Sequence, residues 1–130
     1  MNRGPQQSRP ISDVVDEQIK AYNNRDIEAF AATYHDSVEL YLFPDECFCR
    51  GKKDLREQYT ARFKARPEAR AAISNRIIMG SYVIDDETVI GLPTVGSMRL
   101  LAKYEVIDDL IARVWFTYEV PSKKFKVQGA

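Results

Sequence analysis

The chain has 130 residues, 45% of them hydrophobic, which suits a single domain able to bury its own core. Lys+Arg and Asp+Glu both number 19, so the formal net charge is zero and no global field exists to draw in nucleic acid or an anionic membrane. Cys47 and Cys49 are one residue apart, too close for an ordinary bridge and too few for zinc, so they read as free thiols on a strand, with no metal and no cofactor expected.

From Met1 to Pro10 there is no apolar stretch of the kind a secretory signal needs, and no segment reaches the length of a membrane span, so a cytoplasmic location is expected. Residues 1–11, rich in Gln, Pro, Arg and Ser at their start, read as a disordered tail. The folded domain is expected over 12–121, with a second tail at 122–130.

Ser12 or Asp13 can cap a first helix, in which Val15, Ile19 and Tyr22 recur at helical spacing up to the turn-like Asn23-Asn24-Arg25. Asp26 can cap a second, shorter helix whose apolar face is Ile27, Phe30, Ala31 and Tyr34, broken by His35-Asp36-Ser37. Val38 to Phe43 has strand character, Pro44-Asp45-Glu46 is a turn, and Cys47 to Arg50 completes a small hairpin. Gly51 opens a third helix to about Arg66, with Leu55, Tyr59 and Phe63 spaced by four and Pro67 beyond its end. Strands follow at Ala72–Met79, Tyr82–Ile84, Thr88–Leu92, Met98–Ile107 and Leu110–Val120. Asp85-Asp86, Pro93 to Gly96 and Asp108-Asp109 supply the turns.

Helices first and an antiparallel meander after them argue for an α+β domain whose helices cover one sheet face. Alternation puts Leu100, Ala102, Tyr104 and Val106 on one side, with Arg99, Lys103 and Glu105 on the other. In the last strand Ala112, Val114, Phe116 and Tyr118 share the apolar side, opposite Arg113, Trp115, Thr117 and Glu119. A large aromatic beside Arg on an exposed sheet face favours an interface there.

Three stretches carry a family likeness: AYNNRDIEAFAATYHDSVELY, RGKKDLREQY and YEVIDDLIARVWF. In order and spacing they resemble the two-helix entry, the Arg-Gly helix start and the terminal hairpin of the nuclear transport factor 2-like superfamily, in its SnoaL-like and ketosteroid-isomerase-like group, over about residues 13 to 120. The resemblance implies a cystatin-like cone: a curved antiparallel sheet with three helices on its concave face, an apolar interior that opens as a pocket, and pairing as a homodimer through the outer sheet face. It places Gln18, Tyr22, Tyr34, Leu42, Tyr59, Ala102, Tyr104 and Phe116 at the pocket, and Arg113 and Trp115 at the dimer interface.

Ketosteroid isomerase needs an Asp base and an oxyanion hole made of a Tyr and a protonated Asp. By position the Tyr donor falls at Gln18, the base at Leu42, and the protonated acid at Ala102, or at Lys103 if the register slips by one. Leucine cannot accept a proton, and losing such groups removes several powers of ten in rate, so steroid isomerase activity is not expected. The acid that SnoaL-like aldol cyclases place after a Trp on the last strand is absent at Trp115-Phe116. The interior is therefore expected to hold no ionisable carboxylate.

Other residues admit a chemical and a structural reading. His35 could be a base, but at a helix end its ring suits the carbonyl dipole, and that reading is preferred. Asp45 and Glu46 could be an acid and base pair, but a Pro-Asp-Glu turn is an ordinary hairpin tip. Tyr22, Tyr34, Tyr59 and Tyr104 could network around a ligand or simply pack. Two functions stand: a Tyr-lined pocket for a small hydrophobic molecule, in a binder or a cofactor-independent isomerase, cyclase, lyase, hydratase or hydrolase, or a non-catalytic dimeric association module.

Overall fold

A computed structural model describes residues 9–119. The tails expected at 1–11 and 122–130 lie outside the described residues, apart from Arg9, Pro10 and Ile11. The elements run α1 (Ile11–Asn23), α2 (Ile27–Ala32), β1 (Tyr34–Leu42), β2 (Glu46–Arg50), α3 (Lys52–Ala65), β3 (Arg70–Met79), β4 (Tyr82–Leu92), β5 (Gly96–Ile107) and β6 (Leu110–Tyr118). They form an α+β domain with one curved, open six-stranded sheet in the order β2-β1-β6-β5-β4-β3.

Every strand pair is antiparallel except β1 with β6, which run parallel. The connection between those two is the rest of the domain, long enough for the crossover that a parallel pair needs.

In α1, Ile11, Val14, Val15, Gln18, Ala21 and Tyr22 are buried, a stripe at three- and four-residue spacing laid against the sheet. The helix starts at Ile11 with Pro10 in the cap position and no side-chain cap, so neither Ser12 nor Asp13 caps it. Asp13 instead lies within the first turn, where the helix dipole favours an acid. Asp26 does cap α2, accepting from the Ala29 N–H at 3.1 Å.

That second helix is shorter than its apolar spacing implies. It stops at Thr33, whose carbonyl accepts from the Ile111 N–H at 2.9 Å. Tyr34 and His35 therefore belong to β1, where Tyr34 pairs with Ile111 of β6. Pairing with a strand far along the chain overrides the local helical pattern. His35 is at no helix end: its Nε2–H donates to the Ile107 carbonyl at 2.7 Å.

The largest departure from the sequence reading is at Asp85-Asp86. No turn forms there; Tyr82–Leu92 is one strand, so β4 replaces two expected short ones. The two acids are held by arginines of neighbouring strands, a tertiary arrangement that local turn chemistry does not record. Asp108 and Asp109 do form the β5–β6 turn, at φ 52° and 67°. A two-residue hairpin turn of this hand needs positive φ at both central residues, and Asp tolerates that region.

Beneath the helices, Val83, Val89, Leu100, Ala102, Tyr104, Val106, Val114 and Phe116 form the sheet side of the core. Phe30 sits at its aromatic centre, with the rings of Tyr59 at 4.6 Å, Tyr34 at 5.2 Å and Phe63 at 5.7 Å.

Candidate functional site

Between α1, α3 and the sheet a small cavity remains, lined by Gln18, Ile19, Tyr22, Tyr59, Ala71, Glu87, Val89, Tyr104 and Phe116. Its volume is about 10 Å³, room for roughly one water molecule. The helical spacing of α1 brings Gln18 and Tyr22 to one face, α3 contributes Tyr59, and period-2 alternation in the strands turns Glu87, Tyr104 and Phe116 inward.

Of the residues expected at a pocket, Gln18, Tyr22, Tyr59, Tyr104 and Phe116 line this cavity. Tyr34 is buried beside it and hydrogen-bonds the Gln18 side chain. Ala102 is buried in the sheet between Asp85 on β4 and Phe116 on β6. Leu42 is only half-buried, near the end of β1, and does not reach the cavity wall.

Glu87 overturns the expectation of an interior without a carboxylate. Its side chain is buried on the cavity wall and its Oε1 has no hydrogen-bond partner. Burial first, and then the charge of Asp85, push its carboxyl up to about 8, with Arg76 pulling the other way. Desolvation penalises the charged form, so the neutral acid predominates at pH 7.

Asp85, one pleat along on the same face, is 0% exposed and held by two hydrogen bonds from Arg76, at 2.6 and 3.0 Å. Arg76 also reaches Asp16 on α1 at 2.8 Å. The acid missing at Ala102 is thus present on the adjacent strand, since Asp85 is the register partner of Ala102. The signal was in the sequence: Val83, Asp85, Glu87 and Val89 alternate with Ile84, Asp86, Thr88 and Ile90, which is the pattern of a strand. Three consecutive acids obscured it.

The tyrosines do not compete with Glu87 for protons near neutrality. Burial raises Tyr59 to about 12 and puts Tyr34 and Tyr104 well above the phenolic range. They act as hydrogen-bonding groups. The Gln18 Oε1 and the Tyr118 hydroxyl are buried and, like the Glu87 Oε1, have no partner. Each such orphan costs about 1–3 kcal/mol, so the two on the cavity wall, on Gln18 and Glu87, ask for a guest that satisfies them, while Tyr118 is not part of that lining.

The other candidates lie elsewhere. Asp45 and Glu46 are exposed at the β1–β2 tip. Cys47 and Cys49 are free thiols; the Cys47 Sγ donates to the Cys49 carbonyl at 3.4 Å, and burial pushes the Cys49 thiol up to about 12. Among the described residues no group of three or more His, Cys, Asp or Glu could hold a metal ion. On the outer sheet face Trp115 stacks on Tyr41 at 5.8 Å, and Arg113 pairs with Glu105 at 2.7 Å. Among the described residues no helix is long and apolar enough to cross a membrane.

The SnoaL-like domain model matches residues 15–114. No curated protein matches the chain. Among solved structures, an uncharacterised cystatin-fold protein from Novosphingobium aromaticivorans is 24% identical, with a TM-score of 0.78 over 84% of this chain and 98% of that one. A candidate polyketide cyclase from Sinorhizobium meliloti is 18% identical, with a TM-score of 0.71 over 80% of this chain and 93% of the other. A candidate ketosteroid isomerase from Kribbella flavida is 17% identical, with a TM-score of 0.72 over 87% and 80%. At such identities the likeness is one of fold alone. The family model, in contrast, spans most of the chain, which belongs to the SnoaL-like domain family of the nuclear transport factor 2-like superfamily.

Proposed function

We propose that the cone interior binds a small, largely apolar molecule carrying a hydrogen-bonding oxygen, and that Glu87 is its polar anchor. The supporting observation is the buried Glu87 side chain with an unpartnered oxygen on the cavity wall. As a neutral acid it donates a hydrogen bond to a ligand carbonyl, while Gln18 and the tyrosines satisfy the remaining lone pairs. Because its carboxyl titrates near 8, the ionised minority at pH 7 can act instead as the base, taking a proton from carbon next to that carbonyl and returning it while Gln18 and the tyrosines hold the carbonyl oxygen, which is cofactor-independent isomerase or cyclase chemistry. A volume near 10 Å³ means that a guest enters by displacing side chains, with the half-buried Ile19 the least constrained part of the wall.

The test compares wild type with Glu87→Gln against a panel of small cyclic enones. Thermal-shift titration reads binding, and NMR in D2O reads exchange at the carbon next to the carbonyl. Binding by the wild type that weakens in the variant, with exchange lost, supports the reading. Equal shifts and equal exchange in both proteins sink it.

A second reading is an association module that pairs as a homodimer through the outer sheet face. Its support is the small size of the cavity and the Trp115–Tyr41 stack, with Lys103 5.5 Å from the Trp115 ring centre. Sedimentation showing a monomer at micromolar concentration would remove it.

A further inference from the structure

The two unpartnered oxygens of the cavity wall come from different layers of the domain. Gln18 Oε1 belongs to α1 and Glu87 Oε1 to β4, and their residues are 7% and 5% exposed. The space they share is about 10 Å³, the room of roughly one water molecule. Two hydrogen bonds of ordinary length converging on so small a space span only about 5–6 Å. Groups that meet both oxygens at once must therefore be neighbours on one guest.

The two oxygens differ in what they ask for. Glu87 is the neutral acid at pH 7, so it has a proton to give, and a guest carbonyl takes it. An amide oxygen carries lone pairs and no proton, so Gln18 Oε1 can only accept. Tyr34 fixes which end of that amide is left for the cavity. Burial raises the Tyr34 phenol and the Gln18 hydrogen bond pulls the other way, as an N–H donated to the phenolic oxygen does. With its nitrogen engaged by Tyr34, the amide leaves its oxygen to the guest. A molecule that offers a carbonyl alone satisfies Glu87 and keeps Gln18 Oε1 buried without a partner.

We propose that the guest of the cone is an α-hydroxy enone, a ring carbonyl with a hydroxyl on the adjacent carbon, whose carbonyl accepts from Glu87 while its hydroxyl donates to Gln18 Oε1. This rests on the pocket reading above and adds to it the second polar group of the ligand. Ile19, Ala71, Val89 and Phe116 supply the apolar wall for the ring carbons. The same pair of oxygens sets a specificity. An ether at the adjacent carbon turns an acceptor towards the Gln18 acceptor, so neither is satisfied and the site rejects it in favour of the free hydroxyl.

Calorimetric titration of the whole chain at about pH 6.5, with 2-hydroxycyclohex-2-enone, its methyl ether and cyclohex-2-enone, tests this. The hydroxy compound should bind about tenfold tighter than cyclohexenone, the scale of satisfying one buried acceptor, and the ether should bind more weakly than either. Gln18→Met keeps the length of the side chain without the amide, and should bring the hydroxy compound to within about twofold of cyclohexenone. Tyr34→Phe releases the amide to turn an N–H towards the guest, and should narrow the preference while cyclohexenone still binds. That second variant carries the test if Gln18→Met does not fold. A hydroxy compound that binds no tighter than cyclohexenone, or a preference left unchanged by Gln18→Met or by Tyr34→Phe, overturns the proposal. If all three compounds bind alike and Glu87→Gln weakens them all, this proposal fails and the pocket reading survives. If none of them binds, both fail together.

Discussion

Asp85 and Asp86 are consecutive residues of β4, and each is gripped by an arginine from a neighbouring strand. Arg76 of β3 holds Asp85 at 2.6 and 3.0 Å; Arg99 of β5 holds Asp86 at 2.9 and 2.7 Å. The chemistry is the same and the pleat puts the pairs on opposite faces. Asp85 is fully buried, while Arg99 is more than half exposed, at 57%. The outer pair is an ordinary solvated contact, although the Arg99 hydrogen bond still lowers the Asp86 carboxyl from its usual range. The inner pair places a fixed charge beside Glu87, so the same two residue types become part of a site because of which way they face.

Breaking the inner pair gives the largest expected effect. Arg76→Met leaves the Asp85 carboxylate buried and uncompensated, and should destabilise the protein by about 3–5 kcal/mol in urea unfolding. It also releases Asp16, and with it one tie between α1 and the sheet. Adding Asp85→Leu to Arg76→Met should recover much of the loss, because a buried pair replaced by apolar groups is close to neutral. An Arg76→Met variant as stable as wild type would mean that the interior is wet, and the distinction between the two faces would collapse.

The sequence shows this contrast only in part. The α+β order, the three helices, the inward side of β5 and β6, and much of the cavity wall follow from spacing, since helical and strand periods report directly which side chains share a face. Tyr34 and Asp85 do not follow from it. Tyr34 continues a helical stripe, and only its pairing with Ile111, far along the chain, makes it a strand residue. Asp85-Asp86 has turn composition, and only the arginines of the flanking strands make it tolerable within a sheet. Both misreadings concern long-range partners that local propensity cannot weigh, and the second one hid Glu87.

The next effect down comes from Glu87, which sharpens the comparison by reading out the inner face as a pH dependence. In the folded protein its carboxyl titrates near 8, against an ordinary value of 4.5. Between those values the folded chain holds a proton that the unfolded chain has lost. Its contribution to stability is therefore complete below about pH 4.5 and falls away as pH rises through 8. Glu87→Gln keeps the shape without the titration. The variant should show a flatter stability profile across this window and be a few kcal/mol more stable than wild type near pH 9. Parallel profiles for the two proteins from pH 5 to 9 would show that Glu87 is solvated.

The smallest effect belongs to the outer pair, and its smallness is the point. Arg99→Ala removes a well-formed two-pronged contact, yet both partners remain hydrated before and after, so water replaces what the arginine gave up. The unfolding midpoint should move by no more than the scatter between repeats. What remains of the pair should also fade between low salt and 1 M NaCl, where screening acts over only about 3 Å. The inner pair gives no such response, because ions do not enter the space around Asp85. If Arg99→Ala instead destabilised the chain as much as Arg76→Met, the outer face would have to be desolvated at that point. In a chain that exposes Leu101 and Thr117 beside Arg99, the covering surface would be a second molecule, and the loss would then grow with protein concentration.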